Sequence, residues 1–262
     1  MKKTQSHTLI LFNRLTMELK GQVAVVTGAS RVVGKSIASA LEAKGIIVAK
    51  VARRSQQFVA DVSVPADVDR LKSEIESQLG RPTILINAAG IFGPINLIKD
   101  SDPKEWIETL MTDTVGPYLV TRAFLQGMLD FGWGRIVNLS SAASLHTPGT
   151  FNSAYSTAKV ALNRLTRHLA QEIKGTGVTA NVIHPGEVKT TMWSDIREKT
   201  MKAIENENKY SDWVSWVERT GGDPPEKAAQ LVLDIIEGNK NGCFLWIENP
   251  LQKPIPSWND ED

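Results

Sequence analysis

A single cysteine, Cys243, stands in the 262 residues. A disulfide within the chain and a cysteine-held metal cluster are therefore excluded, and this economy suits a reducing cytoplasm. Long apolar runs are missing too. The patch near the start, Leu9 to Phe12, has only four apolar residues, too few for the core of a signal peptide, and nothing further on approaches a membrane span. Nor is there an excess of either charge: 30 Lys and Arg face 29 Asp and Glu, a formal net charge of +1. That balance gives no reason to expect nucleic acid or an anionic membrane as partner. What the chain does have is 42% hydrophobic and 23% charged residues, enough for a sizeable core in one large domain or two small ones.

Residues 1–16, MKKTQSHTLILFNRLT, read as an N-terminal extension without fixed structure, and Met17 opens MELKGQVAVVTGAS, which reads as a natural start. From there short β-branched runs alternate with longer amphipathic ones. Strands are predicted at Val23–Thr27, Ile46–Val51, Ile84–Asn87, Arg135–Leu139, Val178–Ile183 and Cys243–Ile247, with a weaker one at Phe58–Ala60. Helices are predicted at Lys35–Lys44, Pro65–Leu79, Pro103–Phe131, Ala154–Ile173 and Pro225–Glu237. Near-continuous apolar strands alternating with helices imply a parallel sheet covered on both faces. Too few residues follow Ala52 for a helical crossover, so the second connection is expected to be a bare loop. Residues 187–224 read as the longest irregular stretch and hold three of the seven tryptophans, as a lid would. The expectation is one doubly wound α/β domain over residues 17–262.

The first strand runs into TGASRVVG, residues 27–34, and then a helix. Such a turn binds phosphate at a helix N-terminus, where backbone N–H groups and the macrodipole favour negative charge. Alone it is a weak signal, as likely to be a plain tight turn. It is followed, in order, by DV at Asp61-Val62, NAAG at Asn87–Gly90, GRIVNLSSAAS at Gly134–Ser144, YSTAK at Tyr155–Lys159 and HPGEVKT at His184–Thr190. This ordered set, which spans residues 17 to 248, resembles the short-chain dehydrogenase/reductase family.

The resemblance implies a Rossmann-type sheet of about seven parallel strands binding one dinucleotide. The family's loop is usually TGxxxGxG, and its residues Gly28, Ser30, Arg31, Val33 and Gly34 are implied to hold the cofactor. Val32 replaces the middle glycine. A β-branched side chain there either crowds the pyrophosphate or turns aside, and the intact downstream motifs favour the second. NAD-preferring members carry an acid at the end of the second strand; here the strand ends Val51-Ala52-Arg53-Arg54. Arg31 and Arg53 flanking a 2′-phosphate favour NADP(H) over NAD(H). By resemblance Asp61 meets the adenine amino group, Val62 packs on the ring, and Asn87 and Gly90 line the adenosine side. Pro185, Gly186, Val188 and Thr190 match the segment beneath the nicotinamide.

The family's catalytic group is Ser, Tyr and Lys with an upstream Asn, and Ser141, Tyr155 and Lys159 match. Tyr155 and Lys159, one helical turn apart, project from the same face. Carbonyl reduction needs hydride at carbon and a proton at oxygen. Bringing a phenol from near 10 to near 7 takes ~4 kcal/mol, and one ammonium roughly 4 Å away supplies about that at an effective dielectric near 20. Tyr155 is thus the expected general acid in reduction and base in oxidation, and Ser141 the hydrogen-bond partner of the substrate oxygen. The Asn position falls on Asp113. Pro117, four residues on, lacks the N–H that would bond the Asp113 carbonyl, so a kink is expected there. A negative side chain near Lys159 is expected to cancel part of its effect on Tyr155.

The substrate expected from this set is a small carbonyl or alcohol, partly apolar if Met192, Trp193, Trp213 and Trp216 of the lid face it; the equal alternative is that these tryptophans pin the lid to the body. A 3-oxoacyl thioester is one familiar choice in the family; a sugar, steroid or xenobiotic ketone is another. His146 has a loop position and is left outside the site. Helix 154–173 is of the kind that pairs subunits in the family, as homodimers or homotetramers. The competing reading is a non-catalytic NADP(H)-sensing or scaffold protein on the same fold, suggested by Val32 and Asp113; an intact Ser141, Tyr155 and Lys159 argues against it.

Overall fold

The computed structural model describes residues 17–54, 56–145, 150–202 and 210–247. The expected extension at 1–16 and His146 lie outside them. Seven strands, β1 (Val23–Thr27), β2 (Ile47–Ala52), β3 (Phe58–Val59), β4 (Pro82–Asn87), β5 (Gly134–Leu139), β6 (Val178–His184) and β7 (Phe244–Trp246), form one sheet in the order β3-β2-β1-β4-β5-β6-β7. Every pairing is parallel. The chain therefore winds outward twice from the middle, and the strand order reverses between β1 and β4. In such sheets that reversal opens a crevice at the carboxyl edge.

The central strands are buried on both faces. Along β1, Ala24 and Val26 point into one core and Val25 into the other, the alternation a pleated strand imposes. The first core is closed by helix α1 (Val32–Ala43), through Ile37, Ala38 and Leu41, and by helix α8 (Pro225–Glu237), through Val232, Leu233 and Ile236. The second is closed by α2 (Pro65–Leu79), α4 (Gly116–Phe131) and α5 (Ser153–Glu172). β2 passes to β3 without a helix, so the short connection behaves as its length requires.

Two predicted elements differ. The helix expected at Pro103–Phe131 is three pieces: α3 (Pro103–Leu110), a π-helical turn over Met111–Val115, and α4. Pro117 is the cause, since a proline cannot continue the i→i−4 ladder and a wider turn absorbs the break. Gly116 brings this bend against the loop after β3; a Cβ there would stand 2.8 Å from Val62 Cγ2. Residues 187–224, read as irregular, contain two helices, α6 (Thr191–Lys202) and α7 (Tyr210–Thr220). Trp193 and Ile196 of α6 and Val214 and Val217 of α7 bury against one another and against Ile95, with Phe92 and Phe151 alongside. Their apolar positions are too few to announce a helix alone; mutual burial fixes them.

Candidate active site

The loops leaving β1, β4, β5 and β6 meet at the carboxyl edge. Thr27 Oγ1, at the end of β1, accepts from the N–H groups of both Ala88 and Ala89, at 3.1 and 3.2 Å, tying the first loop to the fourth. Gly28 follows at φ +68°, where a Cβ would lie 2.7 Å from the Ala88 carbonyl oxygen. Only glycine fits that crossing. Gly34, the last glycine of the loop, packs on Gly28; a Cβ there would meet the Gly28 oxygen at 2.5 Å.

A cavity of about 650 Å³ opens on this loop, lined by Gly28, Ser30, Arg31, Arg53, Asp61, Val62 and Gly90 among others. The N-terminus of α1 faces it with no side-chain cap on its first turn and no acidic residue there, leaving donors for an anion. Arg31 spans the mouth, its Nη1 donating to the Gly90 carbonyl at 2.7 Å. Arg53 is held near Glu108 at 3.6 Å. Asp61 accepts from the N–H and hydroxyl of Ser63 at 2.9 and 2.6 Å. These features fit a dinucleotide. Val32, the departure from the glycine pattern, stands 37% exposed at the start of α1 and lines neither this cavity nor its neighbour; Val33 packs inward on the first core and lines the neighbour. Asn87, expected at the adenosine side, is not among the residues lining either cavity. Its side chain is buried between strands, donating to Asn138 Oδ1 at 2.7 Å, and Asn138 donates to Thr166 Oγ1 at 2.8 Å. It lines neither cavity because it is the last residue of β4, paired in register with Asn138 of β5.

The neighbouring cavity, about 170 Å³, shares Arg31 and Gly90 with the first and holds Ser141, Tyr155 and Lys159 on its wall. Ser141 ends β5's loop entry, accepting from the Ala143 N–H at 3.2 Å and hydrogen-bonding Tyr155. Tyr155 and Lys159 come from the first turns of α5, and the Lys159 ammonium lies 5.4 Å from the centre of the Tyr155 ring. Phe92 packs on that ring at 4.7 Å between centroids. The Lys159 Nζ donates to the Leu139 carbonyl at 3.0 Å and stands 2.9 Å from Asp113 Oδ2. Asp113 Oδ1 accepts from the Ile91 N–H at 2.8 Å, so the π-helical turn, the β4 loop and α5 are joined at one carboxylate. Burial pushes the Asp113 carboxyl upward, opposed by Lys159 and the Ile91 N–H. Burial first, then the Asp113 charge and that of Glu187, hold the Tyr155 phenol well above its ordinary value, against the hydrogen bond from Ser141. The lysine field expected to acidify Tyr155 is thus largely spent on Asp113.

Pro185, Gly186, Val188 and Thr190 line the same cavity. Gly186 takes φ +88°, and Thr190 Oγ1 accepts from the Trp193 N–H at 3.1 Å, capping α6. The sequence reading assigns neither His184 nor Glu187, yet both line this cavity. Both stand in the HPGEVKT motif, which is the trace they leave in the sequence. Glu187 Oε2 accepts from Trp213 Nε1 at 2.6 Å and Oε1 lies 3.4 Å from His184 Nε2. Among the described residues no cluster suited to a metal ion is present, and no helix is long and apolar enough to cross a membrane.

Comparison with known proteins agrees with this fold. The family model described as short chain dehydrogenase matches residues 22–201. A 3-oxoacyl-(acyl-carrier-protein) reductase of Pseudomonas aeruginosa is 32% identical over 206 residues, covering 72% of this chain and 82% of that protein. A short chain dehydrogenase of Monascus ruber is 31% identical over 242 residues, covering 83% and 82%. Among solved structures, Thermoplasma acidophilum aldohexose dehydrogenase superposes with a TM-score of 0.75 at 22% identity, over 90% of this chain and 98% of that one. Actinorhodin polyketide ketoreductase with NADPH gives 0.77 at 24% identity, over 88% and 97%. At those identities the structural likeness bears on the fold.

Proposed function

The chain belongs to the short-chain dehydrogenase/reductase family, and from that premise we propose that it interconverts a carbonyl and a secondary alcohol with NADP(H), using Tyr155 as the proton donor and acceptor. The observation that carries this reading is the convergence of Ser141, Tyr155 and Lys159 on one cavity wall, next to a second cavity rich in arginine.

The cofactor supplies or takes the hydride when bound. Gly28, Ser30, Val33, Gly34 and the α1 N-terminus would hold its pyrophosphate, Arg31 and Arg53 a 2′-phosphate, Asp61, Val62 and Gly90 the adenosine, and Pro185, Gly186, Val188 and Thr190 the nicotinamide end. Three arginines, Arg31, Arg53 and Arg54, line the adenosine-side cavity and β2 ends without an acid, which is what supports NADP(H) over NAD(H). Ser141 and Tyr155 present hydroxyls to one substrate oxygen, and Tyr155 gives its proton to that oxygen as charge develops. A phenol held above its ordinary value is protonated at neutral pH. That is the state a proton donor to the carbonyl oxygen starts from. Lys159 then stands beside the phenolate left behind, tempered by Asp113, whose ion pair with Lys159 links the site to the π-helical turn.

The mostly aromatic and aliphatic lining supports a partly apolar substrate, and the acyl-thioester named for one relative is a candidate for it. Val160 of α5 is 50% exposed, in keeping with pairing of this helix between subunits as a homodimer or homotetramer in the cytoplasm. Titrating the protein with NADPH and NADH while following nicotinamide fluorescence tests the cofactor: micromolar NADPH binding with weaker NADH binding is expected, and absence of binding by either contradicts the proposal.

A further inference from the structure

Among the described residues, Glu187 is the only carboxylate lining the cavity beside Ser141 and Tyr155. It is firmly held. Its N–H donates to Asp223 Oδ2 at 2.9 Å, and its carbonyl accepts from the Asp223 N–H at 3.0 Å. The side chain is held as well, by Trp213 of α7 at 2.6 Å and by His184 of β6 at 3.4 Å. His184 Nδ1 accepts from the Ala142 N–H at 3.2 Å, so in a neutral imidazole the proton sits on Nε2, aimed at Glu187. Burial pushes this carboxyl upward, yet His184 and Trp213 together outweigh burial and the nearby Asp223, and Glu187 is held below the usual carboxylate value.

An ionised carboxylate in this chamber is costly, because the other walls include Phe92, Val188, Met192, Trp193 and Ile196. It also works against the proposed chemistry, since its charge opposes ionisation of Tyr155. Among the described residues one donor reaches each oxygen, which leaves acceptor capacity for a ligand, as a carboxylate has about four lone-pair sites. A ligand that brings a donor, and preferably a positive charge, removes both liabilities.

Building on the reading of this cavity as the carbonyl site, we propose that Glu187 selects the substrate: the ketone or alcohol carries a hydrogen-bond donor, best an ammonium, that meets the Glu187 carboxylate while its oxygen lies at Ser141 and Tyr155. A carboxylate or phosphate at that place in the substrate is repelled. The aromatic and aliphatic walls take the body between the two polar ends, and the fixed Glu187 backbone sets their separation.

The test uses ketones alike except for one substituent, ammonium, hydroxyl, methyl or carboxylate, moved stepwise along the chain. Binding to the full-length protein and to Glu187→Gln is read by calorimetry, and NADPH oxidation is read separately. The wild-type protein is expected to bind the best ammonium ketone about tenfold or more tighter than its methyl analogue, with the carboxylate weakest, and Glu187→Gln to flatten the series to within about threefold. Trp213→Phe, which keeps the carboxylate and removes a donor from it, retains the ammonium preference. The proposal is overturned if no member binds, if the carboxylate binds as tightly as the ammonium, or if Glu187→Gln folds and keeps the wild-type order. Should that variant not fold, the order in the wild type and in Trp213→Phe decides. A change confined to the ratio of NADP+ to NADPH affinities assigns Glu187 to the nicotinamide and also overturns it. Ordered binding without turnover would contradict the oxidoreductase reading alone; turnover without that order contradicts this inference alone.

Discussion

The ammonium of Lys159 lies 2.9 Å from the carboxylate of Asp113, and both side chains are buried, at 5% and 0% exposure. A lysine at this place can either lend its field to Tyr155 or be balanced by a local anion. Here it is balanced, and the consequence falls on the proton chemistry. The Tyr155 phenol sits above its ordinary value because of burial and then of Asp113.

Asp113→Asn removes that negative charge and keeps an oxygen for the Ile91 N–H. Without the repulsion the phenolate is easier to form, so the Tyr155 pKa falls. The rising limb of the pH profile for alcohol oxidation therefore moves to lower pH, and oxidation at pH 7 gains about tenfold for each ~1.4 kcal/mol of repulsion removed. Profiles of kcat/KM against pH for both proteins check this, and superimposable profiles contradict it.

Arg31→Ala and Arg53→Ala should each weaken NADPH. A charge-assisted contact contributes about 1.5–3 kcal/mol, which is roughly tenfold to a hundredfold in Kd. NADH has no 2′-phosphate, so its affinity should stay within about threefold in Arg53→Ala. Arg31 also holds the Gly90 carbonyl, so Arg31→Ala is expected to loosen NADH as well, though less than NADPH. Equal losses for both nucleotides in Arg53→Ala would argue against phosphate recognition there.

Val32→Gly restores the usual loop glycine. Because Val32 faces solvent and lines neither cavity, NADPH affinity should change by less than about threefold, and helix α1 should lose under about 1 kcal/mol from the poorer helix former. Tightening beyond tenfold would mean that the valine crowds the pyrophosphate after all.

Much of this was legible in the chain, for identifiable reasons. Apolar runs such as Val23–Thr27 can only be strands buried on both faces, and the alternation with helices dictates the parallel sheet. The π-helical turn is foreshadowed by Pro117, although its extent is not, because the wider turn depends on how Gly116 meets Val62. Helices α6 and α7 escape detection since each gains its stability from the other. The Asn87–Asn138 contact is not legible: whether a polar residue at a strand end turns to the crevice or to its neighbour depends on register, which one strand cannot reveal. Glu187 was overlooked because Trp213, one of its two donors, arrives from 26 residues away on a helix that the sequence does not announce.

The central claim is that Tyr155 moves the proton, and the most direct test is Tyr155→Phe assayed for NADPH-dependent reduction of a ketone that the wild-type protein reduces. The phenylalanine keeps the ring packed on Phe92 and removes only the hydroxyl. Turnover is predicted to fall on the order of a thousandfold while NADPH still binds with wild-type affinity; turnover at the wild-type rate would contradict the account.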